Sequence, residues 1–146
     1  NREEAAYLTG NEFENTQALL RALARLTPSA IMTDGPKGAY AILGTRRLKK
    51  INNTKPYPLE PSPSIKAYYV PSVGHPAKNL TGAGDAFGSG FLVGWIKSHG
   101  DIKYALRLAS FNADSVVQHI GAKVGILAKY PTQATLNGLA VKNITL

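Results

Sequence analysis

The chain has 146 residues, 44% of them hydrophobic and 18% charged, enough for one domain with a real core. It contains no cysteine, which excludes a disulfide scaffold and a thiolate metal site, and no stretch that approaches the ~20 apolar residues of a membrane span or resembles a signal peptide. Lysine and arginine outnumber aspartate and glutamate by 17 to 9, a net charge of +8 that favours polyanions such as nucleic acid, acidic lipid or phosphorylated ligands.

The opening N-R-E-E-A-A-Y-L-T-G reads as a short helix stopped by Gly10; because it begins at Asn1 already in helical pattern, we expect a piece of a longer chain. Over 15–26, Leu19, Leu20, Leu23 and Leu26 recur at helical spacing, and Pro28 cannot continue that helix. A-I-M-T-D at 30–34 predicts a buried strand running into a turn at Asp34-Gly35. Residues 39–43 and 46–51, separated by Gly44-Thr45, predict a hairpin. The basic run R-R-L-K-K at 46–50 alternates around Leu48 without aromatic partners, and reads as a solvated strand face rather than a nucleic-acid surface. Four prolines between 52 and 64 predict an exposed, flexible loop.

I-K-A-Y-Y-V at 65–70 predicts another strand, and a helix is expected from about Asp85 to Ser98. Gly100 and Asp101 separate it from a second helix at 102–119. There Ile102, Ala105, Leu106, Ala109, Ala113, Val116 and Val117 share one face, while Lys103, Arg107, Ser110, Asp114 and Gln118 share the other. A glycine-containing loop at 120–130 leads to a weak helix at about 132–140. Helices separated by short strands predict an α/β layered fold with a mixed or parallel sheet.

N-L-T-G-A-G-D-A-F-G-S-G-F at 79–91 carries the chemistry. The first amides of a helix lack internal partners and sit at the positive end of its dipole. Gly82, Ala83 and Gly84 let a ligand approach those amides, which makes an anion pocket suited to phosphate. Asp85 falls in the first turn beside it, where it can cap the helix or take a proton from a hydroxyl attacking phosphorus. Other motifs fail: a dinucleotide fingerprint needs glycine where Phe87 stands, no P-loop is present, and a hydrolase elbow around Ser89 needs glycines at 87 and 91. His75, His99 and His119 share no ligand spacing and read as surface or half-buried residues. Three glycosylation-type triplets, at 52–54, 79–81 and 143–145, lack a secretory context.

The 79–91 stretch resembles the D-T-x-G-A-G-D-x-F signature of the ribokinase-like, or PfkB-type, carbohydrate kinases. N-R-E-E at 1–4 resembles the N-x-x-E motif of that family, T-D-G-P-K-G at 33–38 its T-x-G-x-x-G nucleotide loop, and 109–122 its segment flanking adenine. The resemblance spans nearly the whole chain, and implies a ribokinase-like layered sheet with flanking helices in which residues 1–146 form the C-terminal portion of a larger kinase domain. It implies ATP and Mg²⁺ as cofactors, a cytoplasmic location, and a sugar or nucleoside as the small-molecule partner, with neither nucleic acid nor membrane. Asp85 is then the base, with Gly82, Ala83 and Gly84 as the anion hole. Thr33, Gly35, Gly38, Asn112, Gly121 and Ala122 border the nucleotide, while Asn1 and Glu4 organise Mg²⁺, Glu4 through water.

One position departs from the signature. Asn79 replaces its first aspartate, where relatives hold a monovalent cation that Thr81 would also address. Asparagine keeps an oxygen ligand and gives up the charge, which weakens the attraction for K⁺. Members of the family are about twice this length, and the half that chooses the acceptor precedes the part present here. The resemblance therefore implies phosphotransfer to a sugar hydroxyl, an adenosine-type nucleoside kinase as one alternative, and a truncated, non-catalytic nucleotide-binding module as another. A sheet edge left open where further strands belong predicts self-association.

Overall fold

A computed structural model of the chain describes residues 1–44 and 65–146. The expected strand at 46–51, its basic run and the proline-rich loop at 52–64 lie outside the described residues. The chain divides into two compact units, one of Asn1–Met32, Tyr40–Tyr68 and Asn143–Leu146, the other of Thr33–Ala39 and Tyr69–Lys142.

The first unit contains helices α1 (Arg2–Thr9) and α2 (Thr16–Leu26). Asn1 caps α1, its side chain accepting from the Glu4 amide at 2.9 Å, and Gly10 ends the helix in the left-handed conformation that glycine adopts without strain. Asn15 caps α2 through the Ala18 amide at 3.0 Å. Three of the four leucines spaced along α2, Leu19, Leu20 and Leu23, are buried and join Ala5, Met32, Ile42 and Ala67 in one core, while Leu26 at the helix end is 52% exposed. Each fully buried leucine there contributes about 1.5–3 kcal/mol. Arg2 is also buried, an arrangement no local pattern predicts. Its guanidinium donates to the Phe13 carbonyl and the Thr16 hydroxyl, and lies over the Phe13 and Tyr40 rings at 5.5 and 5.9 Å.

Strands β1 (Ser29–Thr33), β2 (Ala39–Gly44), β3 (Ile65–Val70) and β4 (Lys142–Ile144) form one sheet in the order β1-β2-β3-β4. The sheet is antiparallel, not parallel or mixed. Only Asp34–Gly38 joins β1 to β2, whereas a parallel crossover takes about a dozen residues or more. The link is one 3-10 turn at Gly35–Lys37, closed by the Asp34 amide on the Gly38 carbonyl at 2.8 Å. Strand β4, three residues long with no alternating pattern, is absent from the sequence-based expectation.

The second unit contains α3 (Ala83–Lys97), α4 (Ile102–Val117) and α5 (Gln133–Gly138). Helix α3 begins two residues before its expected start because Gly82, in the left-handed conformation at φ 86°, serves as the N-cap. Helices α3 and α4 pack through small residues. A Cβ on Gly94 would lie 2.8 Å from the Ala105 Cα, and one on Gly90 would lie 2.9 Å from the Asn112 Cβ. That close approach buries more of α4 than its two-faced pattern predicts. Leu108, Ser110 and Asn112 are buried along with Ala105, Leu106, Ala109 and Val116, so Ser110 is not on a solvated face. Among the described residues no helix is long and apolar enough to cross a membrane.

Candidate active site

The N-terminus of α3 has no side-chain cap. Its first intrahelical bond runs from the Ala86 amide to the Gly82 carbonyl at 2.9 Å, and the Ala83 amide turns back to the Leu80 carbonyl at 3.2 Å. Of the three amides expected to form the anion hole, that of Ala83 thus has an intramolecular partner, a stretched one. Gly84 is exposed, and a Cβ there would meet nothing within 4 Å, so the space before the helix is open to a ligand. Asp85 is exposed in the same first turn, at the end of the dipole that favours a carboxylate.

Gly82 touches the other half of the expected nucleotide site. A Cβ on it would lie 2.3 Å from the Ala122 carbonyl oxygen and 2.8 Å from the Ala122 Cα. Glycine is required there twice, for the positive φ and for the close approach. The 121–122 loop predicted to border adenine therefore packs directly on the N-cap residue of α3. Asn112, predicted beside adenine, is buried between the two: its amide nitrogen donates to the Ala86 carbonyl at 2.8 Å, and its oxygen accepts from the Leu127 amide at 3.0 Å. Both ends of that side chain hold the frame of the site together.

Thr33, Gly35 and Gly38, expected to contact nucleotide, belong to the same unit. Gly38, at φ 107°, presses against β3, and a Cβ there would lie 2.1 Å from the Val70 carbonyl oxygen. The side-chain oxygen of Asn79 accepts from the Thr81 amide at 2.8 Å, an Asx turn that fixes the entry to Gly82. Asn1 and Glu4 lie in the first unit, where the Glu4 carboxylate accepts from the Asn1 nitrogen and completes a capping box. The described residues contain no group of three or more histidine and carboxylate side chains able to hold a metal alone.

A further cluster escapes sequence reasoning. Asp114, its side chain only 9% exposed, accepts from the His75 ring Nδ1 at 2.7 Å, from the His75 amide at 3.2 Å and from the Gln118 amide group at 2.7 Å. Beside it, the Val117 carbonyl accepts from the Lys78 and Asn79 amides at 2.7 and 3.1 Å. The segment leading into Gly82 is thereby stapled to the last turns of α4. A 39-residue separation between His75 and Asp114 leaves no local signal for this pair.

The antiparallel sheet, its flanking helices and the glycine-capped α3 define a ribokinase-like α/β fold. The model of the pfkB family carbohydrate kinases matches residues 1–129, and the chain belongs to that family. Among solved structures it is similar to the fructokinase of Vibrio cholerae O395, solved with fructose, ADP and calcium ion bound, at 24% identity and a TM-score of 0.60 over 94% of this chain and 38% of that one. It is similar to a probable sugar kinase of Rhizobium etli CFN 42 at 27% identity and a TM-score of 0.60, over 94% and 33% of the respective chains. It is also similar to the Methanocaldococcus jannaschii nucleoside kinase at 20% identity and a TM-score of 0.52, over 93% and 35%. The chain spans well under half the length of these structures. No curated protein matches it significantly.

Proposed function

We propose that residues 1–146 supply the nucleotide-binding and phosphotransfer part of an ATP-dependent kinase that phosphorylates a hydroxyl of a sugar. The observation that carries this reading is the packing of Ala122 on Gly82, which gathers the adenine-side loop, the anion hole and Asp85 into one unit. Thr33, Gly35, Gly38, Gly121 and Ala122 line the nucleotide, and Asn112 holds their frame. The amides before α3, at Gly82, Ala83 and Gly84, face the γ-phosphate. The Asp85 carboxylate takes the proton of the acceptor hydroxyl as its oxygen bonds to the γ-phosphorus. The bond from that phosphorus to the β,γ-bridging oxygen breaks, and ADP leaves. Amides fixed before the reaction stabilise charge on the transferring oxygens without reorganising.

Asn1 and Glu4 offer one amide oxygen and one exposed carboxylate, both already joined in the capping box, so they would organise Mg²⁺ only through its waters. When bound, Mg²⁺ neutralises phosphate charge. At Asn79 and Thr81 the donors are neutral and one is already engaged, so K⁺ is at most weakly held.

ADP release with Mg·ATP, measured across a panel of sugars and nucleosides with Asp85→Asn alongside, tests the reading. Sugar-dependent turnover that vanishes in the variant supports it. A response to nucleosides alone replaces the acceptor class, an alternative favoured by the likeness to the archaeal nucleoside kinase. ADP binding without turnover against any acceptor favours a nucleotide-binding module. The reading includes a cytoplasmic location and self-association through β1, the end strand of the sheet among the described residues, where Ile31 is 36% exposed.

A further inference from the structure

The 3-10 turn at Gly35–Lys37 is too short to fix its own orientation. Its internal bonds, the Lys37 amide on the Asp34 carbonyl at 3.1 Å and the Gly38 amide on the Gly35 carbonyl at 3.0 Å, set its shape. The hairpin closure, from the Asp34 amide to the Gly38 carbonyl at 2.8 Å, holds its base, and two hydroxyls add a hold from outside. The Tyr69 hydroxyl donates to the Lys37 carbonyl at 2.7 Å, and the Ser72 hydroxyl donates to the Pro36 carbonyl at 2.7 Å. Between them, the Val70 carbonyl oxygen lies so close to Gly38 that only a glycine fits. Three successive residues of the turn, 36, 37 and 38, are therefore gripped by 72, 69 and 70, residues more than thirty positions away in sequence.

This grip serves no obvious need of the core. Tyr69 and Ser72 are only half-buried and both receiving carbonyls belong to exposed residues, which water could satisfy at little cost. What the hydroxyls add is a fixed position for the loop. A loop that must be ordered by its ligand spends part of the binding free energy on ordering, and one held beforehand does not.

We propose that Tyr69 and Ser72 are positioning residues that set nucleotide affinity by holding the 33–38 loop in its binding geometry. The proposal rests on the reading of that loop as a nucleotide contact, and goes beyond it in assigning a role to two residues outside every recognised motif. Both hydroxyls act on adjacent carbonyls of one turn, so their effects are coupled rather than additive.

The test is titration of the chain with ADP and Mg²⁺, well below the melting temperature of each variant. Tyr69→Phe and Ser72→Ala are each expected to weaken ADP binding about three- to tenfold. Ser72→Thr, which keeps the hydroxyl, is expected to restore it, and the double variant to lose less than the product of the single losses. Amide exchange at residues 34–38 should accelerate in Tyr69→Phe, with the rest of the chain unchanged. A residue that matters only for stability would lower the melting temperature and leave the affinity of the folded protein alone. Wild-type binding with unchanged affinity in both variants overturns the proposal and leaves the nucleotide reading standing. If the wild-type chain binds no ADP, the nucleotide reading of the loop fails and takes the proposal with it.

Discussion

Replacing Asp85 and replacing Gly82 should harm the protein in different ways. Asp85 is exposed and makes only a first-turn contribution to α3, so Asp85→Asn costs under about 1 kcal/mol of stability. If Asp85 is the general base proposed above, its loss should lower turnover about 10²–10⁴-fold. Circular dichroism melting beside steady-state kinetics separates the two, and a variant with wild-type turnover removes Asp85 from the mechanism. Gly82→Ala places a methyl against the Ala122 backbone and forces alanine to φ 86°, a penalty of roughly 3 kcal/mol or more. Gly84→Ala meets open space and keeps an ordinary φ. It should melt like wild type yet, if the γ-phosphate sits over these amides as proposed, bind a non-hydrolysable ATP analogue more weakly with ADP affinity little changed. If Gly84→Ala binds that analogue normally, the anion does not sit over that residue.

At the level of elements, the seam between α3 and α4 is set by glycines whose neighbours are backbone atoms. Gly94→Ala should lose about 1–3 kcal/mol in urea unfolding, whereas Gly88→Ala, with nothing near its Cβ, should gain up to about 1 kcal/mol from helix propensity alone. Equal responses would mean that the helices do not pack through this face. What could be read in advance follows the same division between local and distant causes. The leucines of α2, Gly10 at the end of α1 and the glycine turn before α3 are local signals, and their elements are where the sequence points. Ser110 and Asn112 could not be placed, because α4 is enclosed on more than one side once two glycines let α3 come close. Strand β4 forms by pairing with β3, a partner more than seventy residues away, and carries no pattern of its own. In the candidate site, the glycine turn and the first-turn position of Asp85 were legible in the sequence. The tether at Asp114 and the bridge at Asn112 were not, since each joins residues distant in sequence.

For the whole molecule, the first expectation concerns charge and edge. Among the described residues strands β1 and β4 end the sheet, and β1 shows Ile31 on its exposed positions. Light scattering should report a mass above that of a monomer at working concentration, and a clean monomer would remove edge pairing as a property of this chain. The second concerns the cation. Asn79→Asp restores a charge at the entry to Gly82 and should make nucleotide affinity more dependent on K⁺ over Na⁺. An unchanged response would show that the residue serves only its turn with the Thr81 amide.

Asn112 also has a consequence for how the protein breathes. One buried amide group ties the first turn of α3 to the segment at Leu127, so neither can swing away without stranding a polar atom in the interior. Deuterium uptake at the Leu127 amide should therefore share its opening free energy with the amides of that helical turn, as a single unit that opens together. In Asn112→Ala the two protection factors should fall and drift apart. The loop and the helix would then flicker independently of each other.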